Sequence, residues 1–84
     1  MRFNYKNNDY ELMEFTEPNK LETFDIIGIF RVKYCDFEGT NLIEVDKDTF
    51  NKSSDHLEKY EFVKYFYGAD EDDDLLIEEA KKNI

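Results

Sequence analysis

Residues 24–37 read FDIIGIFRVKYCDF, and this stretch decides the fold class. It is rich in β-branched and aromatic residues over more than ten positions, which predicts one long β-strand. On one side of the predicted strand lie Ile26, Gly28, Phe30, Val32 and Tyr34. On the other side lie Ile27, Ile29, Arg31, Lys33 and Cys35. A glycine in the middle of a strand, here Gly28, predicts a bulge or a bend.

The flanking segments predict further strands. RFNYK places Phe3 and Tyr5 on one face, NND (residues 7–9) has turn composition, and YELMEF follows, which together indicate an opening hairpin. EGT predicts a turn into a second hairpin arm, NLIEVDKDTF, over residues 41–50. TEPNKLET, residues 16–23, contains the only proline and predicts a loop.

Residues 51–67 carry conflicting signals. Asp55 and Glu58 have the spacing of a helix capping box, whereas YEFVKYFYG is dense in the aromatic and β-branched residues that strands favour. We favour a helical turn over residues 54–59 that leads into a strand ending at Tyr67. The alternative is a single helix over residues 55–67.

The final segment, GADEDDDLLIEEAKKNI, predicts a helix over residues 71–83. Acidic side chains crowd its start and Lys81 and Lys82 close it, as the helix macrodipole favours. Its apolar stripe is expected to consist of Leu75, Leu76 and Ala80. Residues 1–84 therefore predict a single acidic α+β domain, a small antiparallel twisted sheet of four to five strands with a C-terminal α-helix.

Composition excludes several classes of function. Twenty-one acidic residues face eleven basic ones, giving a net charge of −10, so the basic footprint that direct nucleic-acid binding needs is missing. No apolar run approaches the roughly 18 residues of a membrane span. A single cysteine and an N-terminus without a signal-like apolar stretch predict a cytoplasmic protein.

No catalytic, metal or cofactor motif is found. Cys35 and His56 are the only thiol and imidazole, and a cysteine in mid-strand usually serves as a small apolar filler. DEDDDLLIEEAK has the acid content of a calcium loop, but Leu75 and Lys81 occupy its sixth and twelfth positions, where Gly and Glu are required. We therefore predict that the protein is not an enzyme and holds no metal or cofactor.

The negative charge is polarised, with a net −3 over residues 1–40 and −7 over residues 41–84. If EVDKD continues a strand, Glu44, Asp46 and Asp48 share one face at steps of about 6.7 Å, a spacing comparable with that of phosphates along a nucleic-acid strand. The predicted C-terminal helix adds five acidic side chains. We interpret the combined set as a partner-binding surface: Glu44, Asp46, Asp48, Glu71, Asp72, Asp74, Glu78 and Glu79.

The leading hypothesis is a small non-catalytic interaction protein, an inhibitor of the kind that phages and mobile elements encode. It would block a basic or nucleic-acid-binding host protein, such as a defence protein, by DNA mimicry. The alternative is an interaction module whose Tyr60, Tyr65 or Tyr67 anchors a partner protein, or a homodimer joined through an open sheet edge. A small enzyme or metal sensor is the third reading.

Overall fold

A computed structural model describes residues 1–15, 25–53, 55–68 and 72–84. The elements in chain order are β1 (Arg2–Tyr5), β2 (Asn8–Phe15), β3 (Asp25–Glu38), β4 (Asn41–Glu44), α1 (Lys47–Lys52), β5 (Leu57–Gly68) and α2 (Asp73–Lys82). All five strands join one antiparallel sheet, which confirms the α+β prediction. The loop predicted over residues 16–23 lies outside the described residues. Within the described ranges no helix has the length and apolarity to cross a bilayer.

The long strand β3 is the centre of the sheet. β5 pairs along one side of it over residues 25–35, and β2 pairs along the other side over residues 26–31. β4 pairs with residues 35–38 on the β2 side, because Cys35 is bonded to both β4 and β5. Two shorter strands thus share one edge of a 14-residue strand.

Two-residue turns close the local hairpins. Lys6 and Asn7 join β1 to β2 with φ angles of 50° and 67°, the doubly positive pattern of a type I′ turn. The turn predicted at residues 7–9 therefore begins one residue earlier, and Asn8 already pairs with Tyr5. Gly39, with a φ of 63°, opens the turn between β3 and β4, as the EGT sequence predicts.

The hydrophobic core lies between α2 and one face of the sheet, which we call the helix-covered face. Its buried residues are Tyr10, Leu12, Ile27, Ile29, Phe66, Leu76 and Ala80. The predicted stripe of α2 is correct for Leu76 and Ala80 but wrong for Leu75, which is 54% exposed. Ile77 packs against the core instead. The helix prediction over residues 71–83 agrees with α2 to within two residues at each end, although residue 71 is outside the described part.

Gly68 permits the close approach of α2 to the sheet. A Cβ at this position would lie 2.9 Å from Leu76 Cδ2 and 3.1 Å from Ile27 Cγ1. We expect Gly68→Ala to displace α2 and to lower the free energy of unfolding by about 1–3 kcal/mol, as overpacking does, in urea denaturation followed by circular dichroism. Thr40→Ala, in an exposed turn, should change it by less than about 0.5 kcal/mol; equal effects would contradict this account.

β5 resolves the conflict over residues 51–67. The strand runs without interruption over Leu57–Gly68, so the predicted strand ending at Tyr67 is confirmed. Both helical predictions, over 54–59 and 55–67, are wrong for the described residues 55–67, and residue 54 lies outside the described part. Asp55 does not cap a helix with its carboxylate; its backbone N–H donates to Ser53 Oγ at 3.2 Å. Glu58 instead accepts hydrogen bonds from Arg2. The aromatic and β-branched residues of the segment therefore decide its structure.

The bulge predicted at Gly28 lies in the neighbouring strand. Ile29 pairs with Lys64 whereas Phe30 pairs with Phe62, so that Val63 of β5 has no partner in β3. Gly28 itself sits in regular register between Met13 and Tyr65. The extra residue in β5 shifts the alternation of all side chains that follow it.

The second hairpin arm is shorter than predicted and is followed by a helix. β4 ends at Glu44, and the Asp46 carboxylate accepts hydrogen bonds from Thr49 N at 2.7 Å and Thr49 Oγ1 at 2.9 Å. This side-chain cap starts α1, because it satisfies a backbone N–H of the first turn. The strand predicted over residues 41–50 is thus wrong beyond Glu44, and Asp46 and Asp48 do not lie on a strand.

Candidate functional site

The face of the sheet opposite α2 carries a group of aromatic side chains, which we call the aromatic face. Its members are Phe15, Phe30, Tyr60, Phe62, Tyr65 and Tyr67. Five of the six rings are between 43% and 58% exposed. Folded proteins normally cover such a concentration of large rings, so this exposed group is the candidate site of the molecule.

Phe30 of β3 is at the centre of the aromatic face. Its ring centroid lies 5.6 Å from Phe62, 6.4 Å from Phe15 and 6.5 Å from Tyr60. A Cβ at Gly28 would lie 2.8 Å from Phe30 Cε2 and 2.9 Å from Phe15 Cε2. Glycine at this position leaves room for the two rings, which extend over the strand there. Phe30 thus contacts rings from both neighbouring strands.

The only cation that the described strands place on the aromatic side of the sheet is already paired. Arg2 donates to both carboxylate oxygens of Glu58 at 2.8 and 3.1 Å, to Glu11 at 3.0 Å and to the Tyr60 hydroxyl at 3.0 Å. The Arg2 guanidinium lowers the pKa of the Glu58 carboxyl. Proteins that stack single-stranded nucleic acids on aromatic rings combine the rings with a basic groove. This face does not offer one.

The first group of predicted site residues lies at the far end of β3 from α2. Glu44 ends β4 and forms an ion pair with Lys33 at 2.9 Å. Asp46 is occupied as the N-cap of α1, and its bonds to Thr49 lower its pKa. Asp48 lies exposed in the first turn of α1. The predicted strand ladder with 6.7 Å steps is therefore wrong, since only Glu44 belongs to a strand.

The second group lies on and before α2. Asp72 occupies the N-cap position without a side-chain cap bond, and Asp74 is exposed in the first turn. Glu78 and Glu79 lie 3.5 and 3.7 Å from Lys81 and Lys82. Glu71 lies outside the described residues. Lysines of the same helix thus partly neutralise the acidic surface of α2.

The two acidic groups do not form one surface. α1 packs on the aromatic side of the sheet, because its buried Phe50 contacts Tyr34 at a centroid distance of 5.0 Å. α2 packs on the opposite side and near the other end of β3. Between Glu44 and α2, Arg31 and Lys33 lie on the helix-covered face in ion pairs with Glu61. The arrangement gives no support to a single phosphate-like array.

A polar cleft of about 290 Å³ opens between the ends of β2 and β4. At its floor the buried Asp9 carboxylate accepts hydrogen bonds from Tyr34 Oη at 2.5 Å and Asn4 Nδ2 at 2.9 Å, and it pairs with Lys47 Nζ at 3.1 Å. The Tyr34 bond contributes most to lowering the pKa of Asp9 to about 2. In the described part no buried side-chain polar atom lacks a partner, so this network is complete and ties α1 to the sheet.

Neither of the residues considered for nucleophilic chemistry is arranged for it. Cys35 is 2% exposed in β3, while His56 stacks on Phe50 at 4.4 Å on the α1 side. No group of three or more metal-ligating side chains occurs in the residues that the structure describes.

Fold and surface together define the class: a small acidic α+β protein in which a helix covers one sheet face while aromatic rings occupy the other. Comparison with protein-family models, curated proteins and solved structures finds no match to the chain. Sequence reasoning named Tyr60, Tyr65 and Tyr67 of this surface and missed its three phenylalanines. The sequence shows the spacing of these phenylalanines in β2, β3 and β5, but it does not show which face of the sheet α2 covers.

Proposed function

We propose that the protein is a non-catalytic binding module that uses its aromatic face to hold a partner protein of net positive charge with an exposed apolar surface. The observation that carries the proposal is the set of six rings, five of them well exposed, on the sheet face opposite α2. On this face α1 packs against Tyr34, which is not one of the six. Large rings that bury apolar area with few rotatable bonds dominate protein interfaces.

The charge of the chain selects the kind of partner. A net charge of −10 repels acidic proteins and accelerates encounter with cationic ones. Two acidic side chains on this side of the sheet, Glu11 and Glu58, are paired with Arg2. The remaining acidic side chains therefore steer the partner, while the rings supply the contact. This division of roles predicts an association rate that falls with salt and a lifetime that depends on the rings.

Two phenylalanines provide a matched test. Phe62 lies on the aromatic face and is 56% exposed, whereas Phe37 lies on the other side of the sheet and is 53% exposed. An amphipathic peptide of leucine and lysine serves as the cationic probe in isothermal titration calorimetry. We expect Phe62→Ala to weaken binding about 30-fold, the loss of about 2 kcal/mol typical of an interface anchor, and Phe37→Ala to change it less than threefold.

The same assay distinguishes the aromatic face from acidic mimicry. Phe62→Ala and Phe37→Ala leave the net charge unchanged, so any difference between them reports the rings alone. Reversal of Asp74 and Glu78 to lysine should slow association but preserve most of the affinity. Equal binding by both phenylalanine variants, with binding abolished by the charge reversals, would overturn the proposal in favour of the DNA-mimic inhibitor.

A further inference from the structure

The outer edge of β5 is unpaired in the described part of the chain. β5 is 12 residues long and bonds only to β3. An exposed strand edge of this length presents backbone N–H and C=O groups to any strand that fits beside it. Its four charged side chains, Glu58, Lys59, Glu61 and Lys64, sum to zero in a chain of net charge −10. The charges of this edge therefore add no net repulsion between two copies of the chain.

The bulge at Val63 makes the edge self-complementary. Before the bulge, odd-numbered residues such as Glu61 lie on the helix-covered face, opposite Arg31. After it, even-numbered residues such as Lys64 lie on that face, opposite Ile29. In an antiparallel pairing of β5 with itself, centred between residues 62 and 63, every odd position before the bulge meets an even position after it. The side chains then match face to face at the five pairs on either side of the axis that do not include the bulge residue Val63.

We propose that the occupant of this edge is a second copy of the chain, paired antiparallel through β5 about a twofold axis between Phe62 and Val63. All twelve residues of β5 pair in this register, because residue 57 meets residue 68 of the second copy. Glu61 lies opposite Lys64 of the second copy, and Tyr60 lies opposite its Tyr65, each contact occurring twice. The twofold arrangement is closed, as in most soluble oligomers.

Other registers fit less well. A shift by one residue places side chains of the helix-covered face against those of the aromatic face. A shift by two residues in one direction places Lys59 opposite Lys64 of the second copy. A shift by two residues in the other direction places Glu61 opposite Phe66, so Glu61 has no charged partner. The favoured register joins two five-stranded sheets into one and sets the aromatic faces side by side. The inference stands on the edge of β5 and does not rest on the proposed function.

Lys64→Glu tests the register by sedimentation equilibrium. The substitution creates two like-charge contacts with Glu61. Since cross-strand pairs contribute roughly 0.2–1 kcal/mol each, we expect the dissociation constant of the dimer to rise about tenfold. Lys59→Glu makes the same charge change on the same face but lies opposite Phe66, so it should alter dissociation less than threefold. Unaltered circular dichroism of both variants controls for folding.

Salt dependence separates the dimer from the binding of a cationic partner. Raising the salt from about 50 to about 500 mM screens the repulsion between two acidic copies and should tighten the dimer, whereas binding of the leucine–lysine peptide should weaken. The inference would be overturned if the protein stayed monomeric at millimolar concentration at both salt concentrations. It would also be overturned if Lys59→Glu and Lys64→Glu weakened dimerisation equally. Neither result bears on the aromatic face as a partner-binding surface.

Disulfide trapping checks the pairing directly. Mixed Tyr60→Cys and Tyr65→Cys proteins should form a cross-linked dimer on mild oxidation, because opposed Cβ atoms of antiparallel strands lie about 4.5–5.5 Å apart. The native Cys35 is 2% exposed and does not compete. A mixture of Tyr60→Cys and Tyr67→Cys should cross-link far more slowly, and equal rates in the two mixtures would refute the register.

Discussion

Ile29→Ala is expected to lower the free energy of unfolding by about 2–5 kcal/mol, the range for deleting the branched end of a buried aliphatic side chain. Ile29 is 0% exposed in the middle of β3, paired with Leu12 on one side and Lys64 on the other, and belongs to the core beneath α2. The void is enclosed by strands on both sides, so little collapse can relieve it. The total free energy of unfolding of a small domain is about 5–15 kcal/mol, so this single substitution would remove a large part of it.

Urea denaturation at neutral pH, followed by circular dichroism, measures this effect. Ile43→Ala is the matched control, because Ile43 has the same side chain on the short strand β4 and is 38% exposed. We expect it to change the free energy of unfolding by less than about 1 kcal/mol. Similar losses in the two variants would mean that the core does not lie between α2 and β3.

The second large effect is a loss of stability in acid that depends on Asp9. Its pKa lies at about 2 in the folded protein, against an ordinary value of 3.8, chiefly because the Tyr34 hydroxyl donates to the carboxylate. Folding therefore favours the ionised form. The resulting stabilisation of roughly 2 kcal/mol is complete above about pH 4 and is lost as the pH falls through 2.

Tyr34→Phe isolates the contribution of Asp9 from that of the other carboxylates. Removing the hydroxyl leaves a buried carboxylate one hydrogen bond short, so we expect a loss of about 1.5–3 kcal/mol at pH 7. The pKa of Asp9 should rise, and the loss of stability between pH 4 and 2 should become smaller than in the unsubstituted protein. Carboxyl NMR titration and urea denaturation across this range measure both. Tyr67→Phe, on an exposed ring, should leave the profile unchanged, and an unchanged profile for Tyr34→Phe would refute the mechanism.

The parts of the fold with long, consistent patterns could be predicted from the sequence. β3 follows from fourteen residues rich in β-branched and aromatic side chains, and α2 follows from charges that suit both helix ends. The start of β5 was ambiguous because Asp55 and Glu58 have the spacing of a helix capping box, whereas the strand ending at Tyr67 followed from aromatic and β-branched residues. α1 was missed because a six-residue helix is too short for periodicity; its one signal was Asp46 three residues before Thr49.

The candidate site depended on packing that local patterns do not encode. β3 offers an aliphatic face with Ile27 and Ile29 and a bulkier one with Phe30 and Tyr34, and a single helix can cover only one of them. The narrow stripe of Leu76 and Ala80 fits the aliphatic face, which leaves the rings around Phe30 outside, whereas Tyr34 is packed by Phe50 of α1. Glu44, Asp46 and Asp48 were grouped on the assumption that a strand continued through Asp46. Because Asp46 instead caps α1, the three residues do not share one strand face.

The central position of β3 also sets the order in which the chain acquires its structure. Its partners in β2 and β4 lie 3 to 21 positions away in sequence, whereas the residues it pairs in β5 lie 22 to 43 positions away. Loop-closure entropy must be lost before such distant contacts form, which slows folding. During synthesis on a ribosome, the side of β3 that pairs with β5 would stay without its partner strand until residue 68 had been made. A delay at that stage would favour pairing of this open edge with another nascent chain.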